Sequence, residues 1–514
     1  MNSVSNFYIT VFQRPLETWS PFLYASVGAL LIFLAYLSYT PFIDKRAPAF
    51  TSDTDLFIGS WGFYSRRWSF WKNSVARSKT GQFSFWLGHY HVVGLSGEAA
   101  RKTFLEHRDL ERITAAVLHG VGPEVVPPIH PIFRSTPKGH SYFQRRVLDL
   151  VTTDHLRKNL SRVTKDARDT FDTLSRSAEE FVDPVQTCYR LVLKQSCRVL
   201  CTDEISDTPQ YMDSYLSWMK MLQTLSSGHA VCRPWLPSWT LMKRRYGRRG
   251  LHNLVAPIVS RRMEKGAPRK DDTLQLLINS GDSQDYIVTY FISILFISVA
   301  NAGKLAGVLL TMVANHADWQ EKIYNEVKEA AAVHATNKDV PIVDQLNSLS
   351  LEAWESSFVF LELCFREAIR MHVAFPMTRY NESSKAIPIP GTGEVIPPGS
   401  MVAYNTGEAH FNEKLYPVPG KLDPMRFSEG CNEHSKETYA FLGWGNGRHR
   451  CVGQRWAKLQ HYIVIAYAIA KFKWIACDQN GKPIPSFDRE TDFDRHGNKL
   501  ATGIYLKHIP REKS

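Results

Sequence analysis

GWGNGRHRCVG, residues 443–453, sets one cysteine, Cys451, among glycines and bases, just ahead of the apolar run QRWAKLQHYIVIAYAIAKF. A lone cysteine is ordinarily a small buried hydrophobe. The setting of Cys451 differs from that of the other cysteines. Gly443, Gly445, Gly447 and Gly453 let backbone pass close to something flat or bulky. The run that follows reads as a helix, so Cys451 is expected at a helix start, where N–H groups and the dipole favour a thiolate. Arg448, His449 and Arg450 add positive charge for an anionic partner.

A thiolate in a glycine-rich loop, beside bases and before a buried helix, suits axial ligation of haem iron with the bases near the propionates. WGNGRHRCVG resembles the haem-binding loop of the cytochrome P450 family, Phe-Gly-x-Gly-x-(His/Arg)-x-Cys-x-Gly. Gly445 falls on a fixed position, and Trp444 stands where phenylalanine is usual, as in prostacyclin-synthase-like members. Glu367-Ala-Ile-Arg370 matches the family's Glu-x-x-Arg, and DPMRF (423–427) resembles its Pro-x-Arg-Phe segment, which places Arg426 with Glu367 and Arg370 in a structural cluster behind the loop. The resemblance further implies propionate contacts from His449, from Arg379 and from Tyr142-x-x-x-Arg146, where tyrosine replaces the usual tryptophan.

The resemblance implies a mainly α fold with small β-sheets, haem b with Cys451 as axial ligand, and electrons from NADPH through a membrane-bound P450 reductase. The reaction implied is insertion of one oxygen atom from O2 into a lipophilic small molecule. The general look, including FYSRRWSFWKN after the N-terminal apolar stretch, is similar to fungal biosynthetic members, which points to secondary metabolism. One departure stands out. The family's acid–alcohol pair falls on Ala300 and Asn301, and an amide cannot relay protons as a carboxylate does. Asparagine there resembles both bile-acid-branch steroid hydroxylases and prostacyclin synthase, which rearranges a peroxide without a reductase. A same-fold isomerase or dehydratase is therefore the alternative enzyme, and a haem sensor or carrier without turnover the alternative outside enzymes.

The rest of the 514-residue chain fits that frame. Its composition, 44% apolar and 22% charged, is that of a packed globular protein. The net charge of +12 comes from scattered bases without a nucleic-acid signature, and no nucleic-acid partner is expected. The densest run, Lys243 to Arg249, reads as a solvated face or a contact with anionic lipid. Eight cysteines without paired spacing make neither a disulfide framework nor a zinc site. Cys197 and Cys201 read as buried small hydrophobes.

Thr18 to Ile43 carries no charge, and FLYASVGALLIFLAYLSY (22–39) is long enough for a hydrocarbon core of about 30 Å. The expected organisation is an N-terminal segment, 1–48, with one transmembrane anchor over about 22–41, then a catalytic domain, 49–514. Lys45, Arg46, Arg66, Arg67 and Lys72 follow the span, so the positive-inside rule puts the catalytic domain on the cytoplasmic face of a membrane, the endoplasmic reticulum. Helices are expected over 142–174, 182–202, 318–332 and 351–371, and a small sheet over 387–405. The apolar stretch from Asp285 to Trp319 is expected to be a buried central helix, because Ser293, Ser298, Asn301 and Lys304 argue against a membrane span. The pocket is expected from the loop 120–139, a possible lid, and from 219–239, 296–302, 373–377 and 501–504. Their apolar character points to a terpenoid, steroid or polyketide-like skeleton.

Overall fold

The computed structural model describes residues 20–38, 43–54, 59–112, 114–119, 131–134, 139–224, 231–232, 238–373, 376–484, 494 and 503–511. The principal helices are α1 (Pro21–Ser38), α2 (Tyr142–Leu150), α3 (Thr153–Arg176), α4 (Pro184–Leu200), α5 (Pro209–Leu222), α6 (Trp239–Met263), α7 (Gln284–Asn315), α8 (Ala317–His334), α9 (Val359–His372) and α10 (Gln454–Lys471). Ten strands join them: β1 (Phe83–Leu87), β2 (Tyr90–Leu95), β3 (Leu110–Glu111), β4 (Phe181–Val182), β5 (Pro376–Asn381), β6 (Ile387–Pro388), β7 (Val395–Ile396), β8 (Met401–Asn405), β9 (Phe472–Cys477) and β10 (Tyr505–Pro510). The fold is helical with small sheets: a five-stranded one in the order β1-β2-β8-β5-β3, a three-stranded β4-β10-β9 and the pair β6-β7.

Local chemistry sets the helix boundaries. The expected helix over 142–174 is two helices, because the Thr152 hydroxyl donates to the Asp149 carbonyl and turns the chain before α3 starts. Ser141 and Gln144 form a capping box at the start of α2. Asp183 caps α4, with Pro184 in the first helical position, where its missing N–H costs nothing. The expected helix over 351–371 is likewise interrupted, as Leu351–Ser356 and α9.

The core is built around α7. Its 32 residues are apolar enough to cross a membrane, but most of that surface is covered by other helices of the chain. α7 packs most extensively on α4, and glycines permit the approach. A Cβ on Gly307 would lie 2.6 Å from the Val185 Cα and 2.9 Å from the Pro184 carbonyl, both backbone atoms that cannot rotate away. α6, α9, α10 and β9 close the remaining sides of α7. α1 contrasts with it: Phe22, Leu30, Leu31 and Ile32 stand exposed on an apolar helix.

β5 has a central role in placing polar groups. It pairs antiparallel with β8, so that Arg379 lies opposite Val402, and with β3, so that Tyr380 lies opposite Glu111. The Thr378 hydroxyl donates to the Ala115 carbonyl and ties β5 to the turn 114–119.

Replacing Gly307 by alanine is expected to force α4 and α7 apart and destabilise the protein by about 1–3 kcal/mol. Gly430→Ala, where the added methyl meets nothing, serves as the neutral control. Denaturant midpoints of the two variants check this.

Candidate active site

The segment 443–453 folds as a closed loop. The Gly445 N–H donates to the Leu442 carbonyl at 2.9 Å, and the Cys451 N–H donates to the Trp444 carbonyl at 2.8 Å. Gly447 has φ +61°, and a Cβ there would strike the Leu105 carbonyl, so glycine is required on both counts. The ring of Trp444 meets that of Phe365 on α9 edge-on, with centroids 5.7 Å apart. Cys451 precedes α10, which begins only at Gln454, so the expected placement at the helix start is corrected: its own N–H is spent on Trp444 and it is the N–H of Gly453 that reaches the sulfur.

Behind the loop lies a fully buried ion cluster. Arg370 Nε and Nη2 donate to the two carboxylate oxygens of Glu367 at 2.7 and 2.8 Å. The remaining Arg370 donors reach the carbonyls of His410 and Pro419, both at 2.8 Å. The Asp423 N–H donates to Glu367 at 3.1 Å, and Arg426 stands 3.4 Å from the same carboxylate while donating to Glu433 and the Val418 carbonyl. His410 links the cluster to the loop. Burial holds its imidazole down to about 3, with Arg370 adding to the effect, so it is neutral and its Nε2 accepts the Leu442 N–H at 2.9 Å. No sequence motif had singled out His410.

Six of the eight cysteines are buried, while Cys431 and Cys451 are exposed. Cys451 is exposed and desolvated at once: crowding by protein raises its thiol pKa, against the pull of the Gly453 N–H and of Arg112. A group with both properties lines a recess rather than the outer surface.

Three bases share the recess. Arg379 is buried, its pKa lowered to about 9 by desolvation and then by Arg112, with Glu111 as a smaller opposing influence. It donates to the Thr378 carbonyl and lies over the Phe104 ring, yet its Nε has no partner. His449 is held down to about 4 by burial, then by Arg379 and Arg112, and its Nε2 lies 3.2 Å from the Leu110 carbonyl. Arg112 is depressed by burial and attracted by Cys451 and Glu111. Arg112 escaped sequence reasoning because it belongs to no motif; only the pairing of β3 with β5 brings it beside Arg379. Mutually repelling bases beside a desolvated cysteine fit a group that brings its own anions. A haem, with two carboxylates and an iron for the sulfur, meets that requirement.

Tyr142 and Arg146 are not part of this group. Both reach Asp282, at 2.6 Å each, and Arg146 also donates to Asp149 at 3.1 Å. The charge of Arg146 is paired here with two carboxylates, with which an expected propionate contact would have to compete.

On α7 the turns to either side are buried, but the stripe Ile297, Ala300, Asn301 and Lys304 is open or half open. The Asn301 amide donates to the Ile297 carbonyl at 2.9 Å. Ala300 offers no polar atom. Of the other expected pocket segments, 120–130, 135–138, 225–230, 233–237, 374–375 and 501–502 lie outside the described residues. Met219, Cys232 and Met377 are buried apolar positions.

This combination, a helical domain with small sheets, a glycine-bounded cysteine and anion-seeking bases, defines the class of cytochromes that bind haem through sulfur. The chain belongs to the cytochrome P450 family, whose family model matches residues 54–494. It is 50% identical over 494 residues to cytochrome P450 monooxygenase AacuE of Aspergillus aculeatus, covering 96% of this chain and 98% of that protein. It is 44% identical to cytochrome P450 monooxygenase nsrP of Aspergillus novofumigatus, with 95% of each chain covered. Among solved structures, retinoic-acid-bound cyanobacterial CYP120A1 superposes with a TM-score of 0.67 over 91% of this chain and all of that one, at 16% identity, a likeness of fold alone. The enzyme is a cytochrome P450 monooxygenase, an oxidoreductase whose family uses haem with a thiolate ligand.

Glu367→Gln leaves the buried Arg370 without its counter-charge and Arg426 with Glu433 alone, and is expected to cost about 3–5 kcal/mol. A lowered denaturation midpoint checks it. Lys165→Ala, which removes an exposed pair with Asp169, is expected to leave the midpoint where it is.

Proposed function

We propose that Cys451 would hold a haem b through its sulfur, with Arg112, Arg379 and His449 taking its carboxylates, and that the open stripe of α7 faces the substrate. The observation that carries this reading is the set of unpaired bases beside a cysteine that is exposed yet desolvated. Trp444, Gly445 and Gly447 shape the loop against the macrocycle. Glu367, Arg370 and Arg426 fix its far side, and His410 carries that rigidity to Leu442.

Bound haem supplies O2 activation at its iron, favoured by electron density from the thiolate. The protein's own contributions are distinct. The Gly453 N–H donates to the sulfur and moderates its charge. Phe296 and Ile297 keep water sparse over the reacting face. Asn301 uses its N–H2 on the Ile297 carbonyl, which leaves the amide oxygen as an acceptor for a substrate hydroxyl or a water. Ala300 cannot hold a proton, so protons reach the site through water or through the substrate.

The substrate in this reading is a lipophilic small molecule, terpenoid, steroid or polyketide-like, modified in fungal secondary metabolism. Residues 1–48 form an anchor segment and 49–514 the catalytic domain. α1, apolar and exposed, anchors the enzyme in the endoplasmic reticulum membrane with the catalytic domain towards the cytoplasm, where NADPH–cytochrome P450 reductase delivers electrons. Three relatives from different fungi bearing the name monooxygenase support oxygen insertion over rearrangement. The departures at Ala300 and Asn301, with Trp444, are the features favouring an isomerase or dehydratase.

Expression with a reductase and untargeted product analysis decides between them. Product that depends on NADPH is expected; turnover without NADPH or reductase would establish the isomerase or dehydratase instead. Cys451→Ala is expected to abolish the thiolate-type spectrum of the reduced, CO-treated protein, and its persistence would refute the ligand assignment.

A further inference from the structure

In the apolar middle of α7 stands a lysine, Lys304, for which no carboxylate partner is found among the described residues. Lys304 shares the open stripe with Ile297, Ala300 and Asn301, being seven, four and three residues beyond them. In a helix the Cα–Cβ bonds tilt towards the N-terminus, so a side chain covers the turn before its own Cα. The Lys304 chain is thereby directed back over Ala300 and Asn301, and the small Ala300 leaves it room. Lys304 is half buried, and burial alone depresses its ammonium, with no carboxylate offsetting it.

The helices packed on α7 explain the lack of a counter-charge. α4, α6 and α10 contain no aspartate or glutamate, and α8, which carries Asp318, Glu321, Glu326 and Glu329, begins only at Ala317, thirteen residues beyond Lys304. α7 itself has only Asp285, in its first turn, and on α9 Glu367 is taken by Arg370 and Arg426 while Glu362 is taken by Lys458 and Tyr462. An unpaired, partly desolvated ammonium is costly, and leucine or methionine would fill the same space more cheaply. The bases that await an anion beside Cys451 stand on other elements, next to β3, on β5 and in the loop, so Lys304 is a separate centre of positive charge.

We propose that Lys304 selects substrates bearing an anionic oxygen, a carboxylate or a phenolate, on an otherwise apolar skeleton. The ammonium donates a charge-assisted hydrogen bond to that oxygen and fixes which edge of the skeleton is presented to the reacting face. This rests on the reading above, in which the open stripe of α7 faces the substrate.

The test is equilibrium dialysis of the full-length haem-loaded protein with two matched pairs of probes: naphthoate against naphthamide, and dinitrophenolate against dinitroanisole. The wild type is expected to bind at least one anionic member about tenfold or more tighter than its neutral partner, and the pair that responds identifies the oxygen as carboxylate or phenolate. Lys304→Met is expected to erase the preference, and Lys304→Arg to keep it. Equal binding within both pairs, or no binding of either anion, overturns the proposal, as does a preference that survives in Lys304→Met. An unchanged CO spectrum in Lys304→Met verifies its fold; should that variant lose haem, Lys304→Gln takes its place. Failure of the underlying reading is seen separately, as survival of the thiolate spectrum in Cys451→Ala.

Discussion

The structure depends on one buried ion pair. Glu367 and Arg370 sit a turn apart on α9, both wholly buried, and removal of either would leave an uncompensated buried charge. Most of the remaining bonding capacity is used: Arg370 takes two carbonyls from the segment 410–419, and Glu367 takes the Asp423 N–H and the charge of Arg426. Three stretches remote in sequence are thereby pinned to one helix. A buried pair of this kind adds less to stability than its contacts imply, because desolvation offsets much of the attraction. Its effect is specificity: among compact arrangements of residues 405–445, those that leave either charge unpaired are strongly disfavoured.

That constraint reaches the candidate site through neutral groups. His410 gives its carbonyl to Arg370 and its ring nitrogen to Leu442, so a single residue transmits position from the cluster to the mouth of the loop. Burial keeps the ring uncharged and therefore an acceptor, which is the state this link needs. From Leu442 onward the loop holds itself, through the bonds to Gly445 and from Cys451 to Trp444. The cysteine is positioned by backbone contacts and not by its own packing, and its sulfur stays open to the recess.

What could be read in the sequence follows from which interactions are local. The loop and the pair Glu367–Arg370 depend on spacings of a few residues, so their patterns survive in a string of letters. The central helix was legible for the same reason: apolar residues on every side, interrupted by small polar groups, demand burial among other helices. Arg112 and His410 were not legible, since each acquires its role from a strand pairing or a bond to a residue far along the chain. Arg146 shows the converse relation. Its motif spacing was right, but Asp282, more than a hundred residues on, supplies the charge that claims it. A motif records which groups are available, and it takes the fold to say which are already satisfied.

The same distinction organises the charges of the interior. Arg198 with Asp166, Arg262 with Asp272 and Arg370 with Glu367 are buried and answered, and each secures a junction between elements. Arg379 and Arg112 beside the cysteine loop, and Lys304 on the open stripe of α7, are desolvated with little negative charge near them. Folding alone would favour replacing such groups by apolar ones of similar size. In the proposed reading they serve anionic groups that arrive after folding, whose binding free energy would include the relief of this repulsion. Interiors answered by the chain hold the fold, and interiors left unanswered mark where its ligands belong.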